Sequence, residues 1–137
     1  FQEPVVWVAR DKTVMLAKDS LPLAVYSHDC QYRKWAMEAL EHIDRPFHVA
    51  YMSPSIAGIL AAVRSGLAVA PVALSVAGED VQIIGPEDGL PVLPISDVCL
   101  YVSGSLKNPL VANLATHVRK SFQAGYGGEN TESVQEN

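Results

Sequence analysis

The feature that most constrains the fold of this chain is a helical segment that ends at a glycine and leads directly into an apolar run. Ser53 and Pro54 predict the start of the helix, because a hydroxyl suits the N-cap and proline suits the first helical position. Gly66 predicts its end, because glycine readily adopts the left-handed conformation that follows a helix. Residues 67–72 are uniformly apolar, which is typical of a buried strand. Such a helix–strand unit predicts an α/β sheet.

Short apolar runs in the rest of the chain alternate between strand and helix patterns. The other predicted strands are residues 5–9, 21–26, 47–52, 81–84 and 98–102. Because strands and helices follow one another in turn, we expect an open mixed sheet with helices on both faces. Ligands of such sheets bind beyond the carboxyl ends of the strands, close to the beginnings of helices.

Two further helices are predicted from helical spacing and capping residues. One covers about residues 30–42, with Asp29 as its N-cap, and the other begins at Asn108 and Pro109. The apolar face of the last helix is Leu110, Leu114, Val118 and Phe122. The predicted loops are residues 10–20 and 85–94. Residues 123–137 are polar and glycine-rich, which predicts a disordered tail.

The charge of the chain argues against direct binding of nucleic acid. Its 137 residues include 10 Lys or Arg and 15 Asp or Glu, for a net charge of -5. Phosphate binding needs clustered basic side chains, and the basic residues here are scattered. The longest apolar run is too short to cross a bilayer, so we expect no membrane partner.

The cysteines and histidines predict neither a disulfide framework nor a metal site, and no motif indicates a cofactor. Cys30 and Cys99 are far apart in sequence, and the four histidines lack the paired spacing of zinc ligands. These histidines are His28, His42, His48 and His117. The chain opens at Phe1 without a methionine, so we expect an excised fragment of a longer protein.

Three segments resemble parts of the effector-binding domain of LysR-type transcriptional regulators. Residues 3–9 (Glu-Pro-Val-Val-Trp-Val-Ala) are similar to the strand that crosses out of the first lobe. Residues 21–26 followed by Cys30 and Arg33 look like the strand-to-helix step into the second lobe. Residues 53–55 and 60–70 resemble the helix, glycine turn and buried strand found across these regulators.

The resemblance implies a two-lobed fold like that of type 2 periplasmic binding proteins. The chain would supply an effector-domain fragment over residues 1–122, mainly the second lobe at about residues 10–97. The crossing strands would be residues 5–9 and 98–102, and residues 109–122 would form a first-lobe helix.

The same resemblance implies a regulatory function and no enzymatic one. A parent protein of this family is a cytoplasmic bacterial transcription factor that senses a small-molecule effector, which this sequence does not identify. It binds DNA only through an N-terminal winged helix-turn-helix domain, which is absent here, and it assembles as a dimer or tetramer. Ligand binding would then be coupled to DNA binding.

In this fold the effector lies between the lobes, at turns that lead from strands into helices. The matching candidates are Ser27, His28, Asp29 and Cys30 at one step, and Ser53, Pro54 and Ser55 at the other. The free N–H groups and the positive end of each helix dipole attract polar or anionic groups. Alternatively, Asp29 and Ser53 only cap their own helices, and the charge of Asp29 would oppose an anionic effector.

Two other function classes stay open at this stage. A ligand-binding domain of a transport-type binding protein would share the fold. A small α/β enzyme that uses Cys30 as a nucleophile is the second class, although no surrounding motif supports it. Redox sensing by Cys30 is a further alternative, but the helix that follows carries no second cysteine.

Overall fold

Strands and helices alternate along the part of the chain that the computed structural model describes, residues 1–102 and 108–125. The strands are β1 (Gln2–Ala9), β2 (Leu21–Tyr26), β3 (Phe47–Ser53), β4 (Ala70–Ala73), β5 (Gln82–Ile84) and β6 (Ile95–Asp97). The α-helices are α1 (Lys12–Leu16), α2 (Gln31–His42), α3 (Ile56–Arg64) and α4 (Pro109–Gly125). Two 3₁₀ turns are Leu74–Val76 and Pro86–Asp88.

The chain divides into two compact units. The larger unit is Glu3–Ser96 and contains all of the strand pairings described next, apart from those of β6. The smaller unit consists of Phe1–Gln2 and the chain from Asp97 onward, including α4. Whether these units correspond to the predicted lobes and crossing strands stays a prediction.

A mixed sheet organises the larger unit. β1 lies between β4 and β5 and is antiparallel to both, and β6 also pairs with β1. β2 and β3 are parallel to each other. A parallel bridge between Leu23 and Val69 joins β2 to the residues just before β4. Two backbone hydrogen bonds of 2.8 Å, Ala24 N to Val69 O and Val69 N to Pro22 O, form this junction.

This topology brings several strand ends to one edge of the sheet. β2, β3 and β4 run in the same direction, so their carboxyl ends meet at that edge. β5 ends there as well, because it is antiparallel to β1 as β4 is. β1 begins at the same edge, which we call the carboxyl edge.

The sheet packs α2 against one face and α3 against the other. On the α2 face, Trp7 and Leu23 are buried with Leu40. On the α3 face, Val8 is buried with Val63. The predicted α/β class with helices on both faces is therefore confirmed.

The end of α3 follows the prediction. Gly66 has a φ of 77°, in the left-handed region, directly after the C-cap Ser65. The N–H of Gly66 donates to Val63 O (2.9 Å), and that of Leu67 donates to Ala62 O (3.0 Å). These two bonds satisfy the last carbonyls of the helix in the Schellman arrangement. The buried strand begins later than predicted, since β4 starts at Ala70 and Leu67 is exposed.

Two predicted elements, the loop over residues 10–20 and the strand over residues 98–102, are wrong. The predicted loop over residues 10–20 contains α1, because Asp11 caps it by accepting from Val14 N and Met15 is buried beneath it. The predicted strand over residues 98–102 is absent from the described structure, where β6 ends at Asp97. A strand needs a neighbour for its backbone groups, and Tyr101 is 89% exposed.

In the smaller unit, α4 begins at Pro109 as predicted, and Asn108 Oδ1 accepts from Leu110 N at 3.0 Å. The helix continues through Gly125, so the tail predicted from residue 123 begins too early. Residues 126–137 lie outside the described residues. The predicted apolar face is largely exposed, with Leu110 at 77%, and the Phe122 ring lies 6.1 Å from that of Phe1. None of the helices in the described ranges is long and apolar enough to cross a lipid bilayer.

Candidate functional site

The two predicted effector-binding turns lie side by side at the carboxyl edge. In the parallel pairing of β2 with β3, Tyr26 lies opposite Ser53. Residues 27–30 and 53–55 therefore leave the sheet from neighbouring strands at the same level. The structure thus brings together the two segments that the sequence analysis singled out separately.

The beginning of α2 differs from the prediction. Its N-cap is Cys30, not Asp29. Within the described ranges, the Cys30 side chain makes no capping hydrogen bond. Asp29 has a φ of 70°, a left-handed conformation that aspartate tolerates better than most residues. The chain turns sharply at Asp29, and the helix starts only after that turn.

The beginning of α3 is also displaced. Its N-cap is Ser55, two residues beyond the predicted Ser53, so Pro54 precedes the helix instead of opening it. Ser53 is buried and uses its hydroxyl within the turn, since Oγ accepts from Ser55 N at 3.1 Å. A Cβ at Gly58 would lie 2.5 Å from Ser53 Oγ, so the glycine leaves room for this turn.

Both helices therefore present uncapped first turns at one edge. Within the described ranges, neither Cys30 nor Ser55 makes a side-chain capping hydrogen bond. The N–H groups of a first helical turn have no partners inside the helix, and the helix dipole adds partial positive charge. Ser55 is exposed and its hydroxyl is not spent on capping. Polar or anionic groups of a ligand fit such an arrangement.

A shallow groove of about 410 Å³ starts at this edge and follows α2. His28, Asp29 and Cys30 line its upper end, together with Arg33. His28 and Asp29 are exposed, whereas Cys30 is half-buried. Four of the seven predicted site residues lie elsewhere: Ser27 in the same turn, and Ser53, Pro54 and Ser55 in the neighbouring one.

Arg33 ties the ends of the two parallel strands together and was not among the predicted site residues. Its Nη1 donates to Tyr26 O at 3.1 Å and contacts Met52 Sδ at 3.0 Å. The guanidinium is thereby directed at β2 and β3. Arg33 was singled out from the sequence only as part of the family-like strand-to-helix step, and its contact with both strand ends was not predicted.

Tyr26 closes β2 and packs under the turn that follows. Burial is the main cause that raises its pKa to about 12, and Cys30 and Tyr32 raise it further. The phenol therefore stays protonated and neutral throughout the physiological range. Its ring meets that of Tyr32 edge-on at 6.2 Å, which fixes α2 against the strand end.

Glu3 was also missed by the sequence prediction. It belongs to the first residues of β1, at the carboxyl edge, and is only 7% exposed. Its Oε1 accepts from Ser75 N at 3.0 Å, in the 3₁₀ turn that follows β4. The signal was present in the sequence, because a carboxylate stands two residues before the apolar run of a buried strand.

Residues 1–123 match the family model described as the LysR substrate binding domain. The chain is 33% identical over 118 residues to the HTH-type transcriptional regulator DgdR of Burkholderia cepacia. That alignment covers 86% of this chain and 40% of DgdR, so the chain spans well under half of this relative.

Solved structures share the fold at lower identity. The regulatory domain of the HypT M206Q mutant from Salmonella typhimurium has a TM-score of 0.62 at 14% identity, over 90% of this chain and 64% of that one. The regulatory domain of CcmR from Synechocystis PCC6803, solved in complex with 2-PG, has a TM-score of 0.55 at 12% identity. This match covers 88% of the present chain and 64% of the CcmR chain.

Proposed function

The chain belongs to the family of LysR substrate-binding domains, and from this membership we propose that it binds a small-molecule effector at the carboxyl edge. The effector site would include the two turns, residues 27–30 and 53–55. We propose further that effector binding is coupled to DNA binding by another domain of a larger parent protein, as the name of the relative DgdR suggests.

The observation that carries this proposal is the pair of uncapped helix N-termini on adjacent parallel strands. A structural role for these turns alone would favour capping side chains, because a cap satisfies amides that otherwise depend on water. Here the hydroxyl of the predicted cap Ser53 is used inside its own turn, and Asp29 precedes the N-cap Cys30 in a left-handed conformation. The free amides are therefore available to an effector, and the CcmR regulatory domain shows that this fold accommodates a ligand.

The coupling follows from differential binding. An effector that contacts both turns stabilises whichever arrangement of the parent protein brings them closest to the rest of the binding site. Only the difference in affinity between two arrangements shifts their populations. The shift then changes the geometry in which attached DNA-binding domains are presented.

Self-association of the parent protein is part of the proposal. β3 is an edge strand in the described structure, since it pairs only with β2. Its apolar side chains Val49, Tyr51 and Met52 are 38–48% exposed. Exposed apolar edge strands favour pairing with another chain. We therefore propose that a dimer or tetramer forms in the cytoplasm, where a transcription factor of this kind acts.

The comparisons favour a regulator over the two rival classes. Two relatives, DgdR and PecT of Dickeya dadantii, are both named as HTH-type transcriptional regulators. We accordingly propose no catalytic role for Cys30.

The proposal is tested by a metabolite screen on the intact protein that carries this chain, scored by thermal shift. For a compound that binds, Ser55→Ala and His28→Ala are expected to weaken the affinity about three- to tenfold each, the usual worth of one hydrogen bond. Ser65→Ala and His42→Ala are matched controls, because they lie at the opposite ends of α3 and α2.

The same compound is then added to a gel-shift assay with the promoter DNA of the parent gene. We expect the apparent DNA affinity or the footprint to change. If both site variants bind the compound as tightly as the wild type does, the proposed site is wrong. If the compound binds but leaves DNA binding untouched, the regulatory coupling is wrong.

A further inference from the structure

Glu3 lies at the carboxyl edge, and among the described residues only one of its two side-chain oxygens accepts a hydrogen bond. Side chains alternate along a strand, and Val5 and Trp7 belong to the cluster packed against α2. Glu3 therefore projects from the same face of the sheet as α2. α2 begins at this edge, so the carboxylate lies on the side of the sheet where the turn of residues 27–30 enters its helix.

Only one oxygen of this buried carboxylate is accounted for. Oε1 accepts from the backbone N–H of Ser75. Within residues 1–102 and 108–125, no hydrogen bond reaches Oε2 and no basic side chain lies within 4 Å of the carboxylate. Among the described residues, Oε2 does not count as a buried side-chain atom without a partner, so it keeps contact with solvent and is accessible to a ligand.

The two basic side chains that line the groove, Arg33 and Lys34, contact other groups, and Lys34 pairs with Glu38. Arg33 donates to Tyr26 O and contacts Met52 at the ends of β2 and β3. The exposed Asp29 adds negative charge at the same edge. The edge therefore combines fixed side-chain carboxylates with helix amides, two kinds of group that prefer ligand charges of opposite sign.

We propose that Oε2 of Glu3 accepts a hydrogen bond from a cationic nitrogen of the effector, an ammonium or guanidinium group. The inference rests on the function proposed above and narrows its ligand class. The effector would carry its cationic nitrogen at Glu3 and a hydrogen-bond acceptor at the uncapped first turns of α2 and α3. Ser75 N holds the carboxylate in place for this contact.

A purely structural role is the competing explanation, in which Glu3 only caps the 3₁₀ turn Leu74–Val76. Glu3→Gln separates the two explanations. The amide oxygen of glutamine still accepts from Ser75 N, so the cap is retained, whereas the negative charge is lost. Glu79→Gln is the matched control, because it removes the same charge from an exposed glutamate of the same unit.

The test uses three pairs of compounds that differ by an ammonium against a hydroxyl: L-alanine and L-lactate, β-alanine and 3-hydroxypropionate, and ethanolamine and ethylene glycol. Affinities are measured on the intact protein by calorimetry at constant ionic strength. We expect at least one amine to bind wild type about tenfold or more tightly than its hydroxyl counterpart. Glu3→Gln should abolish that preference, and Glu79→Gln should retain it.

Unchanged amine preference in Glu3→Gln, or tighter binding of the hydroxyl members, overturns the inference. The wild-type comparison decides the matter even if Glu3→Gln does not fold, because equal affinities within every pair are also a refutation. An amine-free compound that binds and is sensitive to Ser55→Ala refutes the cationic class while leaving the proposed function intact. If no compound of the pairs or of the wider screen binds, both proposals fail.

Discussion

The glycine that ends α3 offers a clean test of the local physics of this fold. Gly66 has a φ of 77°, and a Cβ built there would meet no heavy atom closer than Arg10 Cδ at 4.0 Å. A substitution to alanine therefore introduces no collision. Its cost comes from the backbone conformation alone, since an L-residue in the left-handed region contacts its own carbonyl oxygen.

The expected magnitude follows from that single term. Placing an L-residue in the left-handed region costs about 1–2 kcal/mol. Alanine also restricts the unfolded chain, which offsets about 0.4–1 kcal/mol of that cost. Gly66→Ala is thus expected to lower the free energy of unfolding by about 1 kcal/mol, or roughly 3–6 °C in Tm for a domain of this size. Gly66→Asn should lose less, because asparagine tolerates the left-handed region.

Urea denaturation followed by circular dichroism measures the effect, and Gly125→Ala is its control. Gly125 has open space around its Cα and no positive φ, so alanine there should change the stability by less than about 0.5 kcal/mol. A neutral or stabilising Gly66→Ala would show that the left-handed turn is not required. A loss as large as a core truncation would show that packing, not backbone conformation, limits this position.

Two further perturbations test the core and the surface of the larger unit. Leu40→Ala removes a fully buried side chain from the cluster under α2. Urea denaturation should show a loss of about 2–5 kcal/mol in the free energy of unfolding. A loss below about 1 kcal/mol would mean that α2 does not pack as described. A hydrogen bond from Arg64 holds the pKa of Asp80 below its ordinary value of 3.8. This pair therefore contributes stability above that ordinary value and loses it as the pH falls through the lowered one. Asp80→Asn should flatten the acid limb of the stability–pH curve, and an unchanged limb would contradict the interaction.

Much of the larger unit was predictable because its signals are local. The run Leu21–Tyr26 is a strand with the predicted bounds, and Gly66 follows the C-cap of α3 in the predicted left-handed conformation. Proline at the start of α4 and glycine after α3 act through their own φ angles, so neighbours in sequence suffice to read them. The α/β pattern also predicted that ligands bind beyond the carboxyl ends of the strands, but the adjacency of the two candidate turns came from the pairing of β2 with β3.

The misplaced helix starts show where local reasoning fails. Ser53 and Asp29 are good N-cap residues by type, yet Ser55 and Cys30 occupy those positions. Ser53 is buried at the end of β3, and its hydroxyl accepts from Ser55 N instead of capping the helix. The short helix α1 has the same origin, because its weak local pattern is stabilised by burial of Met15.

The sequence by itself determined the order of the elements, the glycine turn after α3 and the proline at the start of α4. It also determined the family likeness of residues 3–9, 21–26 and 53–70. Each of these features depends on a few consecutive side chains. Only the tertiary structure decided which turns remained uncapped, how Arg33 joined two strand ends, and that Glu3 met Ser75 across 72 positions of the chain. Burial and long-range hydrogen bonds arise when distant segments pack together, and no window of neighbouring residues contains that information.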